Sequence, residues 1–219
     1  MTMKKLDIIY EDKYLIAVNK PAKLLSIASN KEKEKTLYHE VSLYVKKKHK
    51  SNKIFIVHRL DFDTSGVIVF AKDEKIKTIL QSNWENKDVT REYLALVKGK
   101  IKPIKATLKN KLFEDKTHMV YVNEHHKDAK LAITSYELVG NFNDCSLVKI
   151  KIETGRKNQI RVQLNHIGYP IVGDSKYGKV KSQYNRLMLH ASKLIFTHPI
   201  TKEKLELIAK IPKEFPKFM

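Results

Sequence analysis

One cysteine, Cys145, is the chain's entire stock, so no internal disulfide can form. A solitary thiol fits a reducing compartment. With no second Cys or His at ligand spacing, Cys145 reads as a small apolar residue rather than a zinc ligand. Glycine and proline are scarce, seven and six in 219 residues, which excludes low-complexity or linker-joined architectures. No internal repeat is present. No apolar run approaches the roughly 20 residues of a membrane helix. The opening MTMKKLDIIYEDKYLIAVNK breaks its apolar residues with charges every few positions, unlike a signal peptide. Acidic residues are the remaining shortage: 24 Asp+Glu face 43 Lys+Arg, a formal charge of +19. Such an excess favours a polyanionic partner, most often nucleic acid, although a solvated lysine-rich surface would give the same count. A chain of this length buries about 70% of its extended surface without a covalent staple. The expectation is a soluble, cytoplasmic protein of one domain spanning 1–219.

What is present reads as alternating strands with a few helices. LDIIYEDKYLIAVNKP predicts two short strands joined at Glu11-Asp12-Lys13 and stopped by Pro21. KEKEK (31–35) reads as a polar loop. TLYHEVSLYVKKKHK (36–50) has Leu37, Val41, Tyr44 and Val45 on one helical face; its basic end suits a helix C-terminus, or a phosphate. IFIV (54–57) and VIVFA (67–71) read as buried strands. Residues 74–87 predict a second helix with Ile76, Ile79, Leu80 and Trp84 inward. EYLALVKGKI (92–101) and much of 106–153 alternate as strands, and TGRKNQIRVQLNHIGYP (154–170) predicts a third helix ending at Gly168 and Pro170. A final strand pair, 188–196 and 204–209, turns at 198–201. Strands outnumber helices and most connections are hairpin-like, which argues an α+β fold with a largely antiparallel sheet.

Three stretches carry chemistry. HRLDFDTSG (58–66) hangs two carboxylates on a turn between two apolar runs. Asp61 falls at the end of a strand, where a side chain can project from a rigid support. Asp63 lies in the turn itself, where an Asx-type bond to backbone is its natural use. In the 154–170 block, Ile160, Leu164 and Ile167 stand at i, i+4, i+7, and Asn158, Arg161 and Asn165 form a neighbouring polar stripe. An arginine on that boundary can hold a carboxylate ionised; a solvated polar face has the same spacing. Tyr93, in REYLALVKG, shares a strand face with Ala95 and Val97, and either packs in the core or offers a ring for stacking.

Taken together and in order, these stretches resemble the RluA family of pseudouridine synthases. The resemblance runs from IIYEDKYLIAVNKPAKLLS through HRLDFDTSGVIVFAKD, REYLALVKG and DAKLAITSYELV to TGRKNQIRVQLNHIGYPIVGDSKYG. It implies a pseudouridine synthase fold, a mixed and mostly antiparallel sheet with flanking helices and a central RNA-binding cleft. It also implies that Asp61 is the catalytic aspartate, that Arg59 enters the RNA helix, that Tyr93 stacks on the flipped uracil, and that Arg161 pairs with the catalytic carboxylate. Arg156 and Asn158, in the same block, are expected at the RNA. The chain departs from the family at Asn158 and Gln163, where histidines are common. Many relatives carry an N-terminal S4 domain; here the catalytic motifs begin at once, so a short member without it is expected, acting as a monomer.

The reaction so implied converts uridine to pseudouridine within ribosomal RNA or tRNA: the N1–C1′ bond breaks, the uracil turns, and C5 bonds to C1′. Oxidation state is unchanged and no group is imported, so neither cofactor nor metal is expected. Asp61 attacks C1′ or C6, or takes a proton from C2′; the residues do not choose among these. A basic RNA-binding or ribosome-assembly protein with a vestigial site, and an N-glycosidic hydrolase, are the rival readings.

Overall fold

The computed structural model describes residues 6–28, 32–86, 88–179 and 184–217, in which three helices and eleven strands are found. The chain divides into two compact units, one within Met1–Val89 and Ala191–Lys210, the other within Thr90–His190 and Ile211–Met219.

In the first unit, β1 (Ile8–Glu11), β2 (Leu15–Lys20) and β4 (Ser65–Ala71) run side by side, followed by β10 (Leu189–Thr197), whose residues from Ala191 onward belong here. The two-residue β3 (Phe55–Ile56) pairs with β4, and β11 (Lys204–Ile208) pairs with β10. Every residue of β4 is buried, which is why SGVIVFA is a continuous apolar run rather than an alternating one. The helix α1 (Leu37–Lys48) starts where the Thr36 hydroxyl accepts the His39 N–H and packs Leu37, Val41 and Val45 against Ile16, Val18, Ile68 and Phe70. Removing such a cap typically costs about 1 kcal/mol. The helix α2 (Glu74–Ser82) is capped in the same way by Asp73.

Three expectations shift here. The helix predicted to reach 87 stops at Ser82, and Ile79, expected inward, is 40% exposed. The strand expected over 54–57 shrinks to two residues because the chain leaves β4 after Ile56. Ser65 and Gly66, read as turn residues, lie in β4. Gly66 is required by close approach: its φ is +123°, and a Cβ there would sit 2.2 Å from the Ala191 carbonyl oxygen.

In the second unit, β5 (Thr90–Lys98), β9 (Cys145–Ile152), β8 (Lys130–Phe142), β6 (Lys105–Glu114) and β7 (Val120–Val122) form an antiparallel series in that order. Its core gathers Leu96, Leu147, Ile150 and Tyr136 with Ile160 and Leu164 of α3 (Gln159–His166). Cys145 is half-buried at the start of β9, and burial raises its thiol pKa. Among the described residues no helix is long and apolar enough to cross a membrane.

The third helix begins five residues later than its pattern predicts. Asn158 adopts the left-handed region, φ 53°, and the preceding loop is tied to the Gln159 side chain. The Gln159 Oε1 accepts from the Thr154 hydroxyl at 2.8 Å and the Arg156 N–H at 3.0 Å, while its Nε2 donates to the Ile133 carbonyl. Two of the three residues of the stripe read as a polar face are buried, Asn158 at 7% and Arg161 at 4% exposure, while Asn165 is half-buried. The first six residues of this eight-residue helix, Gln159 to Leu164, are all buried, so little of it is left to form a solvated face and helical periodicity alone misplaces it.

Candidate active site

The HRLD segment belongs to the first unit, and its backbone is pinned on both sides of Asp61. Leu60 exchanges two hydrogen bonds with Ser26, its N–H donating to Oγ at 3.1 Å and its carbonyl accepting from the hydroxyl at 2.7 Å. The Phe62 carbonyl accepts from the Leu24 N–H at 3.2 Å and from the ammonium of Lys20, also at 3.2 Å. That ammonium further donates to the carbonyls of Leu24 and Pro21, at 2.7 and 3.0 Å, and Lys20 is fully buried. Burying a lysine is costly unless its charge meets partners; here the partners include three loop carbonyls, so the cation also organises the loop. The turn closes with the Thr64 N–H donating to the Asp61 carbonyl at 3.2 Å. Asp61 is half-buried, Arg59 is exposed, and Asp63 is half-buried within the turn.

His58, which opens the segment, accepts the Val69 backbone N–H at Nε2, 3.1 Å away, and stacks on Trp84 with ring centroids 4.6 Å apart. The Gln81 amide donates to the carbonyls of Ile56 and Val57, at 3.0 and 3.3 Å.

In the second unit, Tyr93 lies half-buried on β5 opposite Ile150 and packs against the core. Arg161 is gripped by a residue absent from the sequence expectations. Its Nε donates to Oδ2 of Asp174 and its terminal NH2 to Oδ1, each at 2.8 Å, a bidentate pair that is 5% and 1% exposed. Asp174 Oδ1 also accepts the N–H groups of Lys176 and Tyr177, at 3.0 Å each. The Tyr177 ring stands 5.2 Å from the guanidinium carbon. The Asn158 Oδ1 accepts from Arg161 at 3.3 Å, and its Nδ2 donates to the Tyr177 hydroxyl at 2.9 Å. Asn158, expected at the RNA, sits inside this cluster. Arg156 is half-buried, with Nε donating to the Leu131 carbonyl at 3.0 Å.

Gln163, the second departure, is internal as well: its Nε2 reaches Asn110 Oδ1 at 3.1 Å and the Ala132 and Leu108 carbonyls at 3.2 and 3.4 Å, linking α3 to β6 and β8. Residues 180–183, part of the stretch where target specificity was expected, lie outside the described residues, as does Lys31 of KEKEK.

A family model described as RNA pseudouridylate synthase matches residues 14–166. The chain belongs to that family. Its members are RNA pseudouridine synthases, which are isomerases, and the RluA-type resemblance read from the motifs extends across nearly the whole chain. An uncharacterised RNA pseudouridine synthase of Bacillus subtilis, YhcT, is 35% identical over 210 residues, covering 95% of this chain and 69% of that protein. The tRNA pseudouridine synthase C of Pasteurella multocida is 34% identical, covering 96% and 93%. The ribosomal large subunit pseudouridine synthase D of Borreliella burgdorferi is 34% identical, covering 97% and 67%. Among solved structures, human RNA pseudouridylate synthase domain containing 4 superposes with a TM-score of 0.80 at 24% identity, covering 94% of this chain and 88% of that one. The α+β fold of the pseudouridine synthases is therefore the fold of this chain.

Proposed function

We propose that this synthase isomerises specific uridines to pseudouridine in ribosomal RNA or tRNA, with Asp61 as the catalytic carboxylate acting on a flipped-out nucleotide. One observation carries the reading: Asp61 is half-buried at the centre of a segment whose neighbours, Leu60 and Phe62, are both fastened by interior groups. A carboxylate so supported is aimed by the fold instead of drifting with a loop. Relatives named for tRNA and for large-subunit ribosomal RNA support both substrate classes.

The remaining roles are those the family motifs imply. Extruding a nucleotide from its stack costs a few kcal/mol. Arg59, exposed beside the carboxylate, fills the vacated space. Tyr93 stacks on the base, worth about 1–3 kcal/mol. Arg161 keeps Asp61 ionised, Asn158 acts through Arg161, and Arg156 meets the RNA backbone. The two units work as one catalytic domain, as a monomer in the cytoplasm. Because the isomerisation moves a bond without net oxidation or group import, the chemistry calls on no cofactor.

The test is nucleotide-resolved pseudouridine mapping of cellular RNA with and without the gene, with restoration by the purified protein. Loss of defined sites from ribosomal RNA or tRNA is expected; unchanged maps in both would refute the reading, and free uracil instead of pseudouridine would identify a hydrolase. RNA affinity should fall by about tenfold or more between roughly 50 and 200 mM salt, as phosphate-bound cations are displaced. A flat response would mean that the +19 charge is not used on RNA.

A further inference from the structure

We propose that His58 is a positioning residue for this reaction: a neutral imidazole, protonated on Nδ1, that holds the start of the HRLD segment to β4 so that Asp61 meets the nucleotide in register. The inference rests on the reading of Asp61 as the catalytic carboxylate.

The ladder between β3 and β4 has a gap. The short strand β3 pairs Phe55 with Ala71 and Ile56 with Phe70, then departs. The next residue of β4 on that side is Val69, which is fully buried, and a buried backbone N–H is an obligatory donor. His58 supplies the missing acceptor with its side chain, Nε2 lying 3.1 Å from the Val69 nitrogen. A ring nitrogen accepts only when it carries no proton, so this contact places the proton of the neutral ring on Nδ1. Imidazolium, a donor at both nitrogens, cannot fill the place.

The ring plane is set by α2. Trp84, in the turn after that helix, stacks on His58 with a 26° interplanar angle, and Gln81 of the helix donates to the carbonyls of Ile56 and Val57. The helix and the turn after it thus each grip the same segment. Counting along the chain, His58, Leu60 and Phe62 are each fastened by a different group, and the carboxylate sits between the last two. A displacement of about 1 Å at the reacting group can reduce turnover about a hundredfold.

The experiment combines kinetics with two spectroscopic readouts. Trp84 is the only tryptophan, so its emission reports the stack directly. Nitrogen-15 NMR of wild-type imidazoles should show His58 with Nδ1 protonated and Nε2 bare. On an RNA that the wild type modifies, His58→Ala should lower kcat about ten- to hundredfold, with KM for RNA within about twofold. His58→Gln, whose Oε1 can reach the Val69 N–H, should recover most of that loss. If the alanine variant fails to fold, the glutamine variant and the NMR assignment still decide. A protonated Nε2, an unaltered kcat in His58→Ala, or a loss confined to KM would overturn the proposal. A wild type that makes no pseudouridine would instead remove the assignment of Asp61, and this inference with it.

Discussion

Asp61→Ala makes no detectable pseudouridine and still binds RNA. Asp61→Asn does the same, which separates charge from shape, because asparagine preserves the side chain's outline and removes only the negative charge. The physical basis is that turnover requires an anion at the sugar–base bond, whereas affinity is supplied elsewhere by cations meeting phosphates. Leu60 and Phe62 keep their bonds to Ser26 and Lys20 in both variants, since those bonds use backbone atoms. The loop therefore keeps its path and the comparison isolates the carboxylate. The measurement is single-turnover pseudouridine yield beside an RNA dissociation constant. Residual product from Asp61→Ala above a protein-free control would sink the assignment.

The second large effect is on stability. Asp174→Ala removes the bidentate partner of Arg161, a guanidinium only 5% exposed. Breaking a buried ion pair by removing one member costs about 3–5 kcal/mol, and in a chain of this size each kcal/mol moves the melting midpoint by about 2–4 °C. A fall of roughly 6–20 °C is expected. The backbone reinforces the point. Gly173 takes φ +79°, and a Cβ there would lie 2.0 Å from the Arg186 carbonyl oxygen, so the turn presenting Asp174 tolerates only glycine at that position. Arg161→Ala leaves the opposite charge buried and should destabilise similarly while also losing activity. A melting midpoint within about 2 °C of wild type for Asp174→Ala would show that the pair is energetically idle.

That prediction also marks where sequence reading fell short. Arg161 was legible as an arginine that orients a carboxylate, and Asp61 was the carboxylate in view. The structure gives it a second one, Asp174, thirteen positions downstream and almost fully buried. The signal was present in GYPIVGDSKYG, where an aspartate after a glycine heads a turn, but spacing cannot say which side chain such a turn faces. Lys20 was similarly open to notice: a lysine ending the apolar run LIAVNK, directly before a proline, lies where a strand has no water to offer it. The expected polar face of α3 failed for a related reason. Asn158 and Arg161, two of its three members, have the composition of a solvated stripe, and only their bonds to each other and to the 174–177 turn reveal that they are interior.

Local pattern was enough for β2, β4, α1 and the closing β10–β11 pair, because apolar periodicity, caps and turn residues act within a few positions of one another. The order of the motifs was enough for the family. Tertiary structure alone decided which polar groups are buried, what fastens the HRLD backbone, and why glycine stands at 66. Those outcomes depend on contacts between segments far apart in the chain, and one-dimensional spacing carries no record of which segments meet.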